Sequence, residues 1–444
     1  MSTWRARIEQ GLNVKPGEGP AVMAGLALFY LLFTGYFMLR PVRETMGVAG
    51  GVDNLQWLFT GTFIATLVCL PLFGWLASRV RRRHILPWTY GFFATNLLLF
   101  AVLFAYNPDD LWHARAFYIW LSVFNLLTIS LAWSVLADLF STEQGKRLFG
   151  LLAAGASLGG LSGPILGTLL VAPLGHAGLV VLAALFLIGS VGASIALQRW
   201  RDRHPLPATA EHPASRPLGG NPFAGATAVL RSPYLLGIAL FVVLLASVST
   251  FLYFEQARIV SETFTDRTRQ TQVFGLIDTV VQALAILTQV FITGRLARRL
   301  GVGVLLVAVP LVMAAGFVWL ALAPVFAVFV VVMVVRRAGE YALVRPGREM
   351  LFTVLPAEDK YKAKNFIDTV VYRGGDALSG WVKRALDVIG DHPQLAMLMG
   401  AVIALGWGLA GGWLGRRQRQ LEAQNLGQEP ATAAGAPNTQ PPFI

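Results

Sequence analysis

Charged side chains and cysteine are both scarce in this sequence, and each shortage excludes a class of protein. Charged residues make up 14% of the 444 positions, against roughly 25% in soluble domains. The single cysteine, Cys69, has no second cysteine to pair with, so no disulfide within the chain holds the fold. No two of the six histidines stand at metal-ligand spacing, and no P-loop, nucleophile elbow or zinc-protease motif occurs. The sequence therefore predicts a protein that is not an enzyme and needs no metal or other cofactor.

Long apolar runs are what the sequence has in abundance. Hydrophobic residues make up 55% of the chain, and a helix crosses a bilayer with about 20 apolar residues. We therefore predict an all-α membrane protein with 12 transmembrane helices, embedded in the lipid bilayer. The runs lie approximately at 20–39, 54–77, 85–106, 115–138, 148–171, 176–198, 233–256, 270–293, 302–322, 324–350, 364–388 and 394–415.

The distribution of basic residues predicts the orientation. The net charge is +12, which in a soluble protein would suggest a nucleic-acid partner. Here 23 Lys and Arg residues fall in the termini and the connections after even-numbered runs, and at most six fall in the other connections. Since basic loops stay in the cytoplasm, we predict cytoplasmic termini, a multi-pass protein of the bacterial cytoplasmic (inner) membrane and no nucleic-acid partner.

The connections also divide the chain into segments. The stretch between the sixth and seventh runs is rich in Pro, Ala, Gly and Arg, which is typical of a linker. The predicted segments are a cytoplasmic N-terminus (1–19), an N-terminal six-helix bundle (20–198), a cytoplasmic linker (199–232), a C-terminal six-helix bundle (233–415) and a disordered tail (416–444).

A loop motif repeats in the two predicted bundles. The pattern G-x-L-A-x-R occurs at 74–79 and again at 294–299, after the second and eighth runs. It resembles the loop signature of the major facilitator superfamily, and Gly159-x-x-x-Gly163-Pro164-x-x-Gly167 is similar to the antiporter motif of that superfamily. The resemblance implies two pseudo-symmetric six-helix bundles. It also implies a central cavity surrounded by the first, fourth, seventh and tenth helices.

A narrower resemblance lies at the end of the first run. The stretch YFMLRPVRET at 36–45 is similar to the Y-x-L-R-D-x-K-D-T stretch of plastid and bacterial nucleotide (ATP/ADP) translocases. Arg43 falls where that family has a lysine on the substrate path, Glu44 falls where it has an acid, and Pro41 replaces its first aspartate. The resemblance implies that Arg43 helps to bind an anion.

The tenth and eleventh runs contain charged residues at membrane depth, where each costs about 2.5–3.5 kcal/mol. Arg336 and Arg337 precede Glu340 by four and three residues, so on one helix a single carboxylate could serve both guanidiniums. Asp376 follows Arg373 by three residues. Arginine binds carboxylate and phosphate through paired hydrogen bonds, so the surplus positive charge predicts an anionic substrate.

The candidate site residues fall into three groups, for which a purely structural role in ion pairs between helices is the alternative. We predict substrate binding by Arg336, Arg337, Arg373, Arg43 and Tyr372. We predict proton coupling or ion pairing by Glu340, Asp376 and Asp368, of which Asp368, Tyr372 and Asp376 share a four-residue period. We predict a gate at Arg40, Glu44, Glu255 and Arg258. Packing or rim positions are predicted for Arg345, Arg348, Glu349, Lys383, Arg384 and Asp387, and packing for the glycines of the fifth run.

Three functions remain open from the sequence. The first is a monomeric secondary transporter that moves an organic, phosphorylated, nucleotide-like anion by alternating access, through antiport or proton coupling. The second is an exporter or flippase of an amphipathic or cell-wall-related metabolite, which the antiporter-like motif favours. The third is a membrane scaffold or sensor that transports nothing.

Overall fold

The computed structural model describes residues 14–80, 82–205, 225–389 and 393–433, and within these ranges it is helical with no strand. Segments 1–13, 206–224 and 434–444 lie outside the described residues. These segments contain much of the predicted terminus, linker and tail.

Within the described residues, the N-terminal half contains five α-helices, the last of which is bent. They are α1 (Gly19–Ala49), α2 (Leu55–Arg79), α3 (Arg82–Tyr106), α4 (Leu111–Leu139) and α5 (Thr142–Arg203). The bend in α5 lies at Gly175, whose φ of 65° and ψ of 178° are not helical. Because glycine has no Cβ, it adopts this positive φ without strain. The bend turns the 62-residue helix into two arms, where the sequence predicts the fifth and sixth membrane helices.

The part of the C-terminal half that the structure describes contains ten α-helices, and π-helical segments join three pairs of them. The helices are α6 (Ala226–Arg231), α7 (Pro233–Thr263), α8 (Arg267–Thr288), α9 (Gly294–Leu300), α10 (Val302–Leu322), α11 (Phe326–Gly339), α12 (Arg345–Leu351), α13 (Ala357–Phe366), α14 (Tyr372–Ile389) and α15 (Pro393–Ala433). The π-helical segments are Gln289–Thr293 between α8 and α9, Glu340–Val344 between α11 and α12, and Ile367–Val371 between α13 and α14.

Nine helices within the described ranges are long and apolar enough to cross a membrane. The bent helix α5 is one of them, and the charge-rich segments from α11 to α14 are not among them. Twelve crossings and cytoplasmic termini therefore stay predictions. The tail differs from its prediction, because α15 continues to Ala433 and the described part of 416–444 is helical. Gln418 and Glu422, four residues apart, are hydrogen-bonded along this extension.

Each half has its own hydrophobic core. The N-terminal core extends from Ala21 to Trp200 and the C-terminal core from Val229 to Leu414. A small third cluster joins the halves, with Leu55, Leu58 and Tyr118 from one and Phe254 and Ala257 from the other. The halves also pack through their helices, mainly α5 against α8, α2 against α14 and α1 against α8.

The four-residue glycine period of the fifth run forms the contact between α1 and the first arm of α5. A Cβ on Gly155, Gly159 or Gly163 would lie 2.4, 2.6 or 2.7 Å from a backbone oxygen of α1. Such distances are far below van der Waals contact, so only glycine permits this approach of the two backbones. The glycines therefore have a packing role, as the sequence predicts.

Replacing Gly159 with alanine is expected to destabilise the protein by about 1–3 kcal/mol, the usual cost of overpacking a core. The added methyl would collide with the backbone of Tyr30 and Thr34. Thermal unfolding in detergent measures the effect. The matched control is Gly150→Ala, because a Cβ at Gly150 meets nothing within 4 Å. The control is expected to be neutral or stabilising, since alanine favours the helix, and equal midpoints for the two variants would contradict the packing role.

The start of α1 is held to α5 by Glu18. Arg147 donates from Nη1 and Nη2 to the two carboxylate oxygens at 3.1 and 2.9 Å, and Gln144 donates from Nε2 at 3.0 Å. Burial raises the pKa of Glu18, and the hydrogen bonds from Arg147 and Gln144 outweigh it, so that the pKa lies below its usual value. The membrane face at which α1 begins is called the terminal face below, and the other the opposite face.

The lowered pKa of Glu18 predicts a pH dependence of stability. A carboxyl with a lower pKa in the folded state stabilises the protein above its unfolded-state pKa, and this contribution is lost as the pH falls through the folded-state pKa. At pH 7 we expect Glu18→Gln to cost about 1–3 kcal/mol, and we expect its deficit against the parent to shrink below about pH 4.5. Thermal unfolding between pH 3 and pH 7 checks this. The control Glu143→Gln removes an exposed carboxylate and should change little.

Candidate functional site: a cavity between the two halves

A cavity of about 150 Å³ lies between the halves. Its lining comes from α1, α2 and α4 of the N-terminal half and from α7, α11, α12, α14 and the π-helical segment after α11 of the C-terminal half. These include the first, fourth, seventh and tenth membrane helices predicted to surround a cavity. The residues described below are therefore contributed by both bundles.

The lining is rich in positive charge. Its arginines outnumber its carboxylates by six to three. The arginines are Arg40, Arg43, Arg336, Arg337, Arg345 and Arg373, and the carboxylates are Glu44, Glu340 and Asp376. A fourth carboxylate, Asp278, contacts two of these arginines. Even with Asp278 included, the six arginines and four carboxylates leave a net charge of +2.

Glu340 is the acid of the first arginine cluster. Arg336 donates from Nη1 to Glu340 Oε2 at 3.0 Å and to Ser249 Oγ at 2.7 Å. Arg345 donates from Nη2 to the other carboxylate oxygen at 3.4 Å and lies over the ring of Tyr341. Arg345 therefore belongs to the cavity, although the sequence predicts a packing role for it.

Arg337 has a different partner from the one predicted. Its Nη1 lies 2.5 Å from Asp278 Oδ1, so Glu340 does not serve both neighbouring arginines. Successive residues of a helix point about 100° apart, which turns Arg337 toward α8 while Arg336 faces α7. Asp278 also lies 3.6 Å from Arg40 Nε, and Arg40 Nη1 donates to Tyr341 Oη at 2.8 Å.

Two further pairs complete the lining. Arg43 donates from Nη2 to Glu44 at 2.6 Å and lies over the ring of Tyr118. Arg373 Nη1 lies 3.5 Å from Asp376 Oδ2, and Thr250 donates to the other oxygen of Asp376 at 3.4 Å. Each pair comes from neighbouring positions of one helix, so each leaves its arginine facing the cavity.

The π-helical segments explain part of this arrangement. The segment after α11 begins at Glu340, and π-helical turns are frequent at functional sites. They leave backbone carbonyls without their usual helical partners. Here Gln289 Nε2 donates to the carbonyl of Tyr341 at 2.9 Å and Thr293 Oγ1 to that of Ala342 at 2.8 Å. Both donors belong to the π-helical segment after α8, so the two irregular segments stabilise each other.

Nine of the twelve predicted site residues line the cavity, including Tyr372, and the other three lie elsewhere. Asp368 pairs with Arg348 at 3.1 Å and is not part of the lining. The π-helical segment at 367–371 interrupts the four-residue period through which Asp368 was expected to share a face with Tyr372 and Asp376. Glu255 and Arg258 pair with each other along α7 and border a separate pocket near the opposite face.

The predicted rim position of Lys383 differs from the structure. Lys383 is 3% exposed, and its Nζ lies 2.5 Å from Asp387 Oδ1 and 3.9 Å from Glu255 Oε2. It is therefore a buried, paired lysine. Asp278 was missed altogether, although it is the single charged residue within 270–293, and the cost of a charge at membrane depth could have identified it.

The two halves contact each other between the cavity and the opposite face. Thr45 of α1 and Thr271 of α8 share a hydrogen bond of 2.7 Å, to which His176 adds another at 2.9 Å. On the other side of the cavity, Arg384 of α14 donates to Asp53 at 3.1 Å. Trp381 also packs edge-on against Trp57 of α2. These contacts close the cavity from the opposite face.

Comparison with known proteins agrees with this architecture. The family profile "Major Facilitator Superfamily" matches residues 21–261, which is more than half of the chain. The chain belongs to the major facilitator superfamily. Membership of this superfamily makes it a multi-pass membrane protein and indicates a transporter rather than an enzyme. No curated protein matches the chain by sequence.

Solved structures of transporters share the superfamily fold with this chain. The nucleoside transporter NupG is 13% identical, with a TM-score of 0.62 over 89% of this chain and 98% of NupG. A bacterial homologue of the human lysosomal transporter Spinster, in an inward-facing and unoccupied conformation, is 13% identical, with a TM-score of 0.58 over 92% and 98%. The human organic anion transporter MFSD10 (TETRAN) is 16% identical, with a TM-score of 0.57 over 89% and 100%. At such identities the likeness concerns the fold alone.

A disulfide between α1 and α8 is expected to lock the opposite face. Thr45 and Thr271 are both fully buried and lie in hydrogen-bond contact, so cysteines at both positions are close enough to bridge. In a Cys69→Ser background, Thr45→Cys with Thr271→Cys should form this disulfide on oxidation. Transport into liposomes should stop on oxidation and should resume after reduction. The two single-cysteine variants are the controls. Unchanged uptake by the fully oxidised protein would show that this contact does not open.

Proposed function

We propose that this protein is a secondary active transporter that moves an organic, phosphorylated, nucleotide-like anion across the cytoplasmic membrane by alternating access. The two halves rock about the central cavity and expose it to one face of the membrane at a time. Arg336, Arg337, Arg373 and Arg43 hold the anion, and Tyr372 lies beside it. Glu340 and Asp376 are the acids available for proton coupling, and exchange of anions is the other driving reaction.

The observation that carries the proposal is the surplus of guanidinium groups in the cavity. Arg336 and Arg337 are 7% and 5% exposed, so water cannot screen their charges well. Six arginines face three lining carboxylates and Asp278, and a doubly charged anion would balance the remainder. Phosphate groups and carboxylates are the anions that guanidinium binds through paired hydrogen bonds.

The size of the cavity supports a restricted binding mode. Its volume of about 150 Å³ is below the ~300 Å³ at which pockets for whole drug-sized ligands begin. In this conformation the cavity therefore has room for a small anion, or for the phosphate end of a larger one. A whole nucleotide requires the halves to separate further at the terminal face.

Neutralising both adjacent arginines is expected to reduce transport strongly. With Arg336→Gln and Arg337→Gln, uptake of the carried anion into liposomes should fall at least ~100-fold, because two charge-assisted contacts are lost. The anions offered are labelled inorganic phosphate, glucose 6-phosphate, citrate, ADP and ATP. Preloading the liposomes with ADP separates exchange of nucleotides from other modes of transport.

The matched control neutralises another adjacent pair. Arg416 and Arg417 are exposed on α15, far from the cavity, so Arg416→Gln with Arg417→Gln should leave uptake at the parental rate. If the double variant at Arg336 and Arg337 takes up the anion at the parental rate, these two residues do not bind the substrate. If the parent protein moves none of the anions offered, the proposed function is wrong.

A second candidate function has one observation in its favour. An apolar pocket of about 410 Å³ between α2, α3 and α4 is lined by Cys69, Trp88 and Phe92 among others, and Trp88 is 67% exposed. Such a pocket at the lipid-facing surface favours export or flipping of an amphipathic metabolite. A fluorescent short-chain phospholipid, scored for transfer between leaflets, distinguishes this activity from anion uptake.

A further inference from the structure

Asp278 occupies an unusual position among the charged groups of the cavity. It is 2% exposed, on α8, and its carboxylate lies between two arginines that come from different halves of the molecule. Arg337 belongs to the C-terminal half, as Asp278 does, and Arg40 belongs to the N-terminal half. Both arginines line the cavity, whereas Asp278 lies behind them.

The hydrogen bonds around Asp278 are incomplete. Oδ1 is 2.5 Å from Arg337 Nη1, but Oδ2 has no hydrogen-bond partner, although Arg40 Nε lies 3.6 Å away. Arg337 Nε also has no partner. Buried polar atoms normally find partners, so the Arg337 guanidinium retains a donor that a second anion in the cavity could use.

The contact with Arg40 depends on the conformation of the protein. The pair between Asp278 and Arg337 lies within one half and moves with it as a unit. The contact between Asp278 and Arg40 crosses the boundary between the halves, so its length changes when the halves rock. A carboxylate that holds arginines of both halves together in the empty protein stabilises the closed arrangement without substrate.

We propose that Asp278 is the built-in counter-ion of the cavity and that a phosphate or carboxylate group of the substrate displaces it from Arg40 and Arg337. The inference rests on the proposed function, because it assigns to that site a competing internal anion. The bound anion and Asp278 compete for the same two guanidiniums. The empty carrier returns across the membrane with Asp278 bound to them, and the loaded carrier crosses with the substrate in its place.

The competition predicts the direction of an effect on binding. Asp278→Asn removes the competing charge, so anions should bind more tightly, with a dissociation constant lowered roughly tenfold or more. Asp278→Glu keeps the charge and should bind anions as the parent does. Thermal unfolding of purified protein, titrated with sodium phosphate and with ADP at constant ionic strength against sodium chloride, gives the half-saturating concentrations.

If Asp278 has only a structural role, Asp278→Asn should change the anion affinity in the opposite direction. If the carboxylate only positions Arg40 and Arg337, its loss should loosen both side chains and weaken anion binding. An unchanged or increased dissociation constant in folded Asp278→Asn would therefore overturn the proposal.

A double variant tests the same proposal if Asp278→Asn does not fold. Asp278→Asn with Arg337→Gln removes both members of the buried pair, so it leaves no uncompensated charge from that pair. Its dissociation constant should be higher than that of Asp278→Asn and near or above that of the parent. If Asp278→Asn does not fold, the double variant is compared with the parent instead. Phosphate should then stabilise the double variant no more than it stabilises the parent. A tighter site in the double variant would contradict the role of Arg337.

Transport separates this inference from the proposed function. In liposomes, Asp278→Asn should retain exchange of internal for external anion and lose net efflux at least ~10-fold, since only net efflux needs the empty carrier to return. Loss of both modes in a folded protein, or retention of both, would contradict the counter-ion role. If the parent protein binds anions but transports none, the proposed function is wrong. The dissociation constants of the parent and of Asp278→Asn then still test whether Asp278 competes with the anion.

Discussion

The cost of a guanidinium group in a low-dielectric environment is the constraint on which the rest of this structure depends. Each buried arginine of the cavity must find a carboxylate, a hydroxyl group or an anion, because lipid and packed protein offer no solvation. Glu340 and Asp278 meet this need for four arginines, and Ser249 and Tyr341 add neutral oxygens. A net charge of +2 remains at the cavity, and this surplus is the physical basis of the proposed anion transport.

The packing of the two bundles has a different physical basis from the cavity. Backbone contact through Gly155, Gly159 and Gly163 joins α1 rigidly to α5 within the N-terminal half. Between the halves, α8 packs closely along α5, so that a Cβ on Gly275 would meet Thr168 and Pro164. Hydrogen bonds, ion pairs, aromatic contacts and one small apolar cluster add to this interface. The proposed alternating access requires each half to move as a unit and this interface between the halves to rearrange.

The irregular helices lie where the charged residues must be oriented. A regular α-helix repeats its faces every 3.6 residues, whereas the π-helical segments at 340–344 and 367–371 change the direction of the side chains that follow. Arg345 is brought to Glu340 after the first of these segments, and Asp368 is separated from the cavity by the second. Gln289 and Thr293, from a neighbouring π-helical segment, donate hydrogen bonds to the carbonyls that the segment at 340–344 leaves without helical partners.

The sequence by itself determined the membrane class, the division into two halves, the packing role of the glycines and most of the arginines at the cavity. Hydrophobic run length, glycine spacing and the cost of buried charge act locally or along one helix, so they can be read from residue order. Tertiary structure alone decided which acid pairs with which arginine. Asp278 meets Arg40 across more than 200 residues of chain, and the π-helical segments redirect Arg345 and Asp368. Both depend on contacts between distant helices, which no periodicity along a single helix encodes.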